Sequence, residues 1–405
     1  MLSESSAAVV TATLPAVQAH GTEITGRFYQ RLFAAHPELL NIFNRGNQAS
    51  GAQKAALAGA VVAYAAHLTG GATVPWGPIL DRIAHKHASL GITPDQYTIV
   101  GRHLLAAVGE VLGEAVTPEV AAAWDEVYWL LACELIAREA RLYAGAGLAE
   151  GEPVWREWRV TGQTEEAVDV VSFTLEPVDG GDVPGFTPGQ YTSVAVDLDH
   201  GRGQQIRQYS LSGRPGADHW RITVKRVRGH AGVPDGVVST FLHEHVSIGA
   251  TLRLSPPFGE VSAVTGDGPL LLVSAGIGLT PAMAALEHLA VTAPERPVVL
   301  VHADRAGAAH AFRAELPRLH AALPNLRTTL WYERVEPGDE VDPVAVSPGR
   351  VDPKMIPLSP DSHVHLCGPL PFMNTVRGGL LRRGVPVERI AYEVFGPGML
   401  RDDRG

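Results

Sequence analysis

The chain has 405 residues, too many for a single hydrophobic core and enough for two or three domains. Hydrophobic residues make up 45% and charged residues 19%, the balance of an ordinary globular protein, and no apolar run is long enough to span a membrane. The formal net charge of −10 argues against nucleic acid or an anionic membrane as the main partner. The first residues lack the basic region, apolar segment and small-residue cleavage site of a secretory signal. Cys133 and Cys367 lie far apart and suggest neither a disulfide framework nor a metal knuckle, so a reducing cytoplasm is expected.

Residues 1–147 are alanine-rich, with three- and four-residue apolar spacing and no strand pattern, which predicts an all-helical domain. Helices are expected near 6–20, 22–35, 37–43, 51–69, 76–90, 94–113 and 118–145. Pro37, Pro75, Pro94 and Pro118 stand where first-turn prolines belong. The first helices turn Phe28, Leu32 and Phe33 inward with Tyr29 beside them, and Phe43 follows a short connection. The next helix puts Gln53, Leu57, Val61 and Tyr64 on one face.

Between Ile79 and Leu90 one apolar stripe carries Ile79, Leu80, Ile83, Ala84, His87 and Leu90. His85 falls on the opposite face with Asp81, Arg82 and Ser89, toward water. A core histidine bonded to a carbonyl is the plain alternative for His87. The flanking helices, however, also carry polar groups on apolar faces: Tyr97 with Val100, Leu104 and Val108, and Glu139 with Tyr128, Leu131, Leu135 and Leu142. A carboxylate on such a stripe is costly unless water or a partner meets it. Glu139 could be solvated near the helix end or paired beside Arg138, but a buried histidine needs a partner of this kind. An imidazole held at one nitrogen and aimed into a dry pocket is what axial haem ligation requires. Haem ligation through His87 is the better reading.

At Gly145–Pro153 (G-A-G-L-A-E-G-E-P) the character of the sequence changes. From Trp155 to about Val264, short runs rich in β-branched and aromatic residues (E-W-R-V, V-V-S-F-T-L, Y-T-S-V-A-V, W-R-I-T-V-K-R, T-L-R-L) predict an antiparallel barrel. From Pro269 on, L-L-L-V-S-A, V-V-L-V-H-A, R-T-T-L-W-Y, H-V-H-L-C-G and I-A-Y-E-V-F alternate with helical stretches, as in an α/β parallel sheet. Residues 333–352, acidic and proline-rich, read as a surface excursion. The resulting domains are 1–147, 152–264 and 267–405.

Several motifs in the second half carry chemistry. Arg207-Gln208-Tyr209-Ser210 ends one barrel strand and G-Q-Y, closing at Tyr191, ends another. The first resembles the flavin-binding signature of the ferredoxin–NADP reductase family: an arginine fork for the pyrophosphate, a tyrosine against the ring, a hydroxyl at the ring nitrogen that exchanges hydride. Gly236-Val237-Val238-Ser239, before an apparent helix, is similar to that family's second phosphate turn. Gly276-Ile277-Gly278-Leu279-Thr280-Pro281 follows a buried strand and resembles its G-x-G-x-T-P pyrophosphate loop, where glycines let backbone approach phosphate. Cys367-Gly368-Pro369 matches its C-G-P motif beside the nicotinamide, which makes Cys367 a cofactor-site residue rather than a nucleophile. Tyr392-Glu393-Val394-Phe395-Gly396-Pro397 resembles the terminal segment that covers the flavin.

A helical haem domain followed by this reductase resembles the flavohaemoglobins over nearly the whole chain. F-Y-x-R-L-F at 28–33, H-P-E-L at 36–39, I-F-N at 42–44, N-Q at 47–48, A-H-K-H at 84–87, Q-Y-x-I-V-G-x-H-L-L at 96–105 and A-R-E-A at 137–140 carry the likeness. The resemblance implies a nitric oxide dioxygenase with haem b, FAD and NAD(P)H, oxidising nitric oxide to nitrate with dioxygen. It implies His87 as proximal ligand, Tyr97 and Glu139 as its relay, Tyr29, Gln53 and Leu57 along the distal pocket, and Phe43 elsewhere in the haem pocket. Lys86 and Glu393 would lie between haem and flavin. Two connections depart from the pattern, G-G-A-T-V-P-W-G before the helix at 76–90 and R-G-H-A-G-V-P-D-G at 228–236. A gas sensor or oxygen carrier, and a diaphorase or peroxide reductase, are the alternatives. Asp304 could accept ribose hydroxyls and Arg305 could meet a 2′-phosphate, which leaves NADH against NADPH open. Nitric oxide and dioxygen are the expected partners, with no nucleic acid, no membrane insertion and a monomeric state.

Overall fold

The computed structural model describes residues 2–43, 52–71, 75–149, 151–198, 203–229, 234–339 and 344–396. Packing divides the chain into two compact units, Met1–Val154 with Ala195–Ile206 and Trp155–Val194 with Arg207–Gly405.

The first part is helical: α1 (Glu4–Ala35), a 3-10 turn (Pro37–Asn41), α2 (Ala52–Leu68), α3 (Trp76–Leu90), α4 (Pro94–Leu112) and α5 (Pro118–Gly145). Thr93 and Gln96 close a capping box at the start of α4, and Thr117 caps α5 through the Val120 amide. The apolar stripes converge on one core that includes Phe28, Leu32, Tyr64, Leu80, Ala84, Leu104, Trp124, Leu131 and Leu135. Gly91, at a left-handed φ of 74°, ends α3.

Three sequence expectations for the helical part change. The helices expected at 6–20 and 22–35 are one helix of 32 residues that runs through Pro15. A proline removes one donor and crowds the preceding turn, but burial of Val10, Val17, Ile24 and Phe28 along the same side holds the helix together. His85 is half-buried rather than solvent-facing, and burial lowers the pKa of its imidazole. Ser89, expected outside, is fully buried, with its hydroxyl satisfied by donation to the Lys86 carbonyl at 2.8 Å.

The rest is two sheets. β1 (Arg156–Ala167), β2 (Val170–Pro177), β3 (Tyr191–Leu198), β4 (Gly203–Ser210), β5 (Trp220–Lys225) and β6 (Thr251–Leu254) form a six-stranded sheet in the order β4-β3-β6-β1-β2-β5. β1 pairs antiparallel with β2 and β6, and β2 with β5. Its core holds the stacked rings of Trp158 and Trp220, 3.9 Å apart. Helix α6 (Val237–His245) lies between β5 and β6 in sequence. The G-Q-Y triplet begins β3 rather than ending a strand: Tyr191 pairs its backbone with Phe258 and opens the ladder.

β7 (Leu270–Ala275), β8 (Val298–Asp304), β9 (Leu326–Tyr332), β10 (Ala345–Pro348), β11 (His363–Cys367) and β12 (Ile390–Glu393) form a second sheet ordered β10-β9-β8-β7-β11-β12. All five pairings are parallel. Helices α7 (Thr280–Thr292), α8 (Leu316–Ala322) and α9 (Leu370–Arg382) make the crossovers. The order reverses between β7 and β11, the switch point where open α/β sheets bind ligands. The stretch 333–352 is not all excursion, since Ala345–Pro348 adds an edge strand beside β9. No helix among the described residues is long and apolar enough to cross a membrane.

Candidate functional site

In the helical part, α3, α4 and α5 bring three polar side chains together inside an apolar shell. His87 Nδ1 lies 2.9 Å from Glu139 Oε1 and 2.9 Å from the Tyr97 hydroxyl. The Tyr97 hydroxyl in turn donates to the same carboxylate oxygen at 2.5 Å. Glu139 is only 3% exposed. A carboxylate oxygen can only accept, so Nδ1 donates to it and Nε2 keeps the lone pair that a metal needs. Nε2 has no hydrogen-bond partner among the described residues, and 34% of the His87 side chain stays exposed. Burial, and then the charge and hydrogen bond of Glu139, push the Tyr97 phenol far above its ordinary value, so it remains a donor at any physiological pH.

A fourth residue, absent from the sequence reading of this site, supports the group from behind. The Tyr128 hydroxyl donates to the Tyr97 carbonyl at 2.5 Å. Its ring lies so close to α4 that a β-carbon at Gly101 would come within 2.4 Å of it. Glycine at 101 is therefore required by packing, not by backbone conformation.

Tyr29 is buried in an aromatic cluster, its ring centre 4.7 Å from Phe28, 5.6 Å from Phe33 and 5.7 Å from Phe43. Leu57 is half-buried against the same core. The Gln53 side chain and Pro397 lie outside the described residues, as does the N-Q pair at 47–48. Lys86 is half-buried on α3.

In the second part, Ser210, Glu393, Cys367 and the Gly276–Leu279 turn meet at the carboxyl ends of the parallel strands. Ser210, at the end of β4, donates to Glu393 Oε1 at 3.3 Å. Glu393 pairs in register with Cys367, which pairs with Ser274 on its other side. Burial, and next the Glu393 charge, hold the Cys367 thiol well above its ordinary pKa, so it is a neutral wall rather than a nucleophile. The Gly276–Leu279 turn packs against the same strand end, where a β-carbon at Gly278 would sit 2.6 Å from the Cys367 carbonyl oxygen. Thr280 and Pro281 open α7 directly behind this turn, and Ile277 packs on its core. Gly368 and Pro369 lead into α9.

Arg207 and Tyr209 neighbour one another on β4 at two-residue spacing, and burial lowers the guanidinium pKa of one and raises the phenol pKa of the other. Gln208, between them, donates to Ser193 at 3.1 Å. The Ser239 hydroxyl, expected at phosphate, is engaged within its own turn: it donates to the Gly236 carbonyl and accepts from the Val227 amide. Val238 beside it is buried. Val394 packs on the sheet core while Phe395 is half-exposed, with Gly396 following at a left-handed φ of 129°.

One functional candidate escaped the sequence. The ammonium of Lys225, at the end of β5, lies 3.6 Å from where a Gly276 β-carbon would stand. That places a cation over the turn whose backbone amides suit a pyrophosphate. The adenosine end offers less than expected: the Asp304 side chain is nearly buried, accepts the Arg305 amide at 2.7 Å and lies 3.8 Å from His302.

The donor sets fit their groups: one imidazole with a free nitrogen for haem, a strand end with half-buried Arg207 and Tyr209 and buried Ser210 for flavin, and a glycine turn with a nearby cation for a dinucleotide. Together they define a globin fused to a flavin-dependent, nucleotide-binding reductase. Residues 26–135 match the Globin family and residues 272–378 the Oxidoreductase NAD-binding domain family. The chain is 44% identical over 401 residues to the flavohemoprotein of Chromobacterium violaceum, covering 98% of each, and 43% identical to that of Rhizobium meliloti, covering 99% and 100%. Among solved structures it is similar to the flavohemoglobin of Malassezia yamatoensis with bound FAD and heme, at 34% identity and a TM-score of 0.86, covering 98% of this chain and all of that one. The chain belongs to the flavohaemoglobin family.

Proposed function

We propose that the chain binds haem b, FAD and NAD(P)H and is a nitric oxide dioxygenase that converts nitric oxide and dioxygen to nitrate. The observation that carries this reading is the shared grip of Tyr97 and Glu139 on His87 Nδ1. A store of oxygen needs no such electron-rich ligand and no hydride input, whereas reductive activation of dioxygen uses both. When bound, the coenzyme supplies hydride, the flavin converts it to single electrons, and the haem iron activates dioxygen.

The chain's own residues do the rest. Glu139 draws the Nδ1 proton toward itself and so raises electron density at Nε2, and Tyr97 keeps the carboxylate aimed. Tyr29, among Phe28, Phe33 and Phe43, supplies a hydroxyl for the distal side of the pocket. Ser210, which donates to Glu393, would offer its hydroxyl to a bound flavin. Lys225 and the Gly276 turn would hold the coenzyme pyrophosphate, and Cys367 with Gly368 would give its site a neutral wall.

The test is anaerobic reduction of the purified holoenzyme with NADH, followed by addition of oxygen and nitric oxide. Haem and flavin absorption bands and stoichiometric nitrate support the reading. Coenzyme oxidation without nitrate would favour a diaphorase or peroxide reductase.

A further inference from the structure

The antiparallel sheet and the parallel sheet meet along β5, and side chains near both ends of the strand reach the parallel sheet's segments. Near its start, the Arg221 guanidinium carbon lies 4.8 Å from the centre of the Phe312 ring. Arg221 Nη1 donates to Glu315 at 2.6 Å and Nη2 donates to the Ser212 carbonyl at 2.7 Å. Glu315 also pairs with Arg318 at 3.3 Å, and Arg318 pairs with Glu287 on α7, the helix that follows the Gly276–Leu279 turn. At the other end of β5 stands Lys225, over Gly276.

Two backbone outliers flank the same junction. Phe312 is fully buried and has a φ of 59°, a left-handed conformation that a bulky side chain adopts only when its surroundings enforce it. The other non-glycine residue with positive φ among the described residues is Asp169, also at 59°, in the turn between β1 and β2. Its neighbour Val168 donates its amide to the Ala308 carbonyl at 3.0 Å, so this barrel turn is tied to the segment that leads into Phe312. Beneath Arg221, the hydroxyls of Ser172, Thr223 and Ser212 are linked at 2.8 Å each, and Ser172 donates to Glu166 at 2.6 Å.

We propose that Arg221 is a positioning residue for hydride transfer: stacked on Phe312 and paired with Glu315, it fixes β5, and with it the flavin barrel, against the coenzyme sheet. The inference rests on the flavin and NAD(P)H sites proposed above. In the step concerned, the C4–H bond of the dihydronicotinamide breaks as an N5–H bond forms on the flavin. The coenzyme loses two electrons, the flavin gains them, and a proton from water completes the reduced flavin. Reacting atoms must approach to roughly 3–3.5 Å, and a misplacement of about 1 Å can cost on the order of a hundredfold in rate. Donor and acceptor would be held by the barrel and the parallel sheet that this junction joins.

The experiment is anaerobic stopped-flow reduction of the holoenzyme flavin at saturating NADH, in the parent, Arg221→Gln, Arg221→Lys and Glu315→Gln. Arg221→Gln should lower the reduction rate per bound flavin roughly ten- to a hundredfold. Arg221→Lys should restore part of it, and 4-deuterated NADH should give a larger isotope effect in Arg221→Gln than in the parent. A merely structural role would lower flavin content or Tm and leave the rate per bound flavin alone. A rate per bound flavin within about twofold of the parent in Arg221→Gln overturns the proposal. If that variant does not fold, Glu315→Gln decides by the same criterion. A parent flavin that neither NADH nor NADPH reduces overturns the assigned reductase sites along with it.

Discussion

At the scale of single residues, Glu139 does most to define the helical site, because a buried carboxylate is tolerated only where donors meet it. Tyr97→Phe removes one of its two donors while keeping the ring. Hydrogen bonds to charged groups contribute roughly 1.5–3 kcal/mol, and the variant should lose stability of that order in denaturant titration. Its iron–histidine stretching frequency in the reduced holoenzyme should rise, since Glu139 Oε1, freed of the phenol proton, accepts more strongly from Nδ1 and leaves the imidazole more electron-rich. His87→Ala should lose haem, while His85→Ala should keep it, as read from the Soret band. Tyr29→Phe should leave haem content and flavin-to-haem reduction intact and speed oxygen release roughly ten- to a hundredfold, by loss of a donor to a charge-developing ligand. An unchanged off-rate would make Tyr29 structural. Lys225→Gln should weaken pyridine-nucleotide binding by roughly tenfold in calorimetry with FAD content unchanged, because it removes one charge-assisted contact.

Elements decide which of these residues could be read in advance. His87, Tyr97 and Glu139 were legible because helical periodicity fixes the face on which each side chain falls. Tyr128 sat on the same stripe as Glu139, but its hydrogen bond to the Tyr97 carbonyl depends on how closely α4 and α5 approach. Gly101→Ala tests that approach: overpacking against the Tyr128 ring should destabilise the fold by roughly 1–3 kcal/mol. Lys225 was invisible because its contact with Gly276 comes from the meeting of two sheets, which no local pattern encodes. The break expected at residue 21 misled for the opposite reason, since Gly21 is buried inside α1 and tertiary packing carries the helix through a weak local former. The parallel sheet carries a pH dependence of its own. His365 is fully buried on β11 with Nε2 unpartnered, and burial lowers its pKa to about 4. The unfolded chain therefore binds the extra proton first, and stability is complete above about pH 6.5 and falls as the pH drops toward about 4. Tm should decline over that window by the equivalent of roughly 3 kcal/mol, and His365→Gln should flatten the decline.

For the whole molecule, the order of modules makes chemical sense of the sites. Ser210, Glu393 and Cys367 gather at one end of the parallel sheet. His87, Tyr97 and Glu139 gather in the helical part. On the proposed function hydride would enter at the first group and the second would take single electrons, and a flavin is the group that reconciles them. Both cofactor signatures and the fold class were readable from motif order. The coenzyme preference was not, because it depends on the orientation of the Asp304 and Arg305 side chains. The central claim is that coenzyme electrons are spent on nitric oxide. Oxidation of nitric oxide to nitrate by dioxygen needs one further electron per molecule, so a two-electron coenzyme should yield about two nitrates. The decisive measurement is nitrate formed per NAD(P)H oxidised by the holoenzyme with nitric oxide and oxygen both present. A ratio near two is expected, and coenzyme oxidation that yields peroxide and no nitrate would contradict the account.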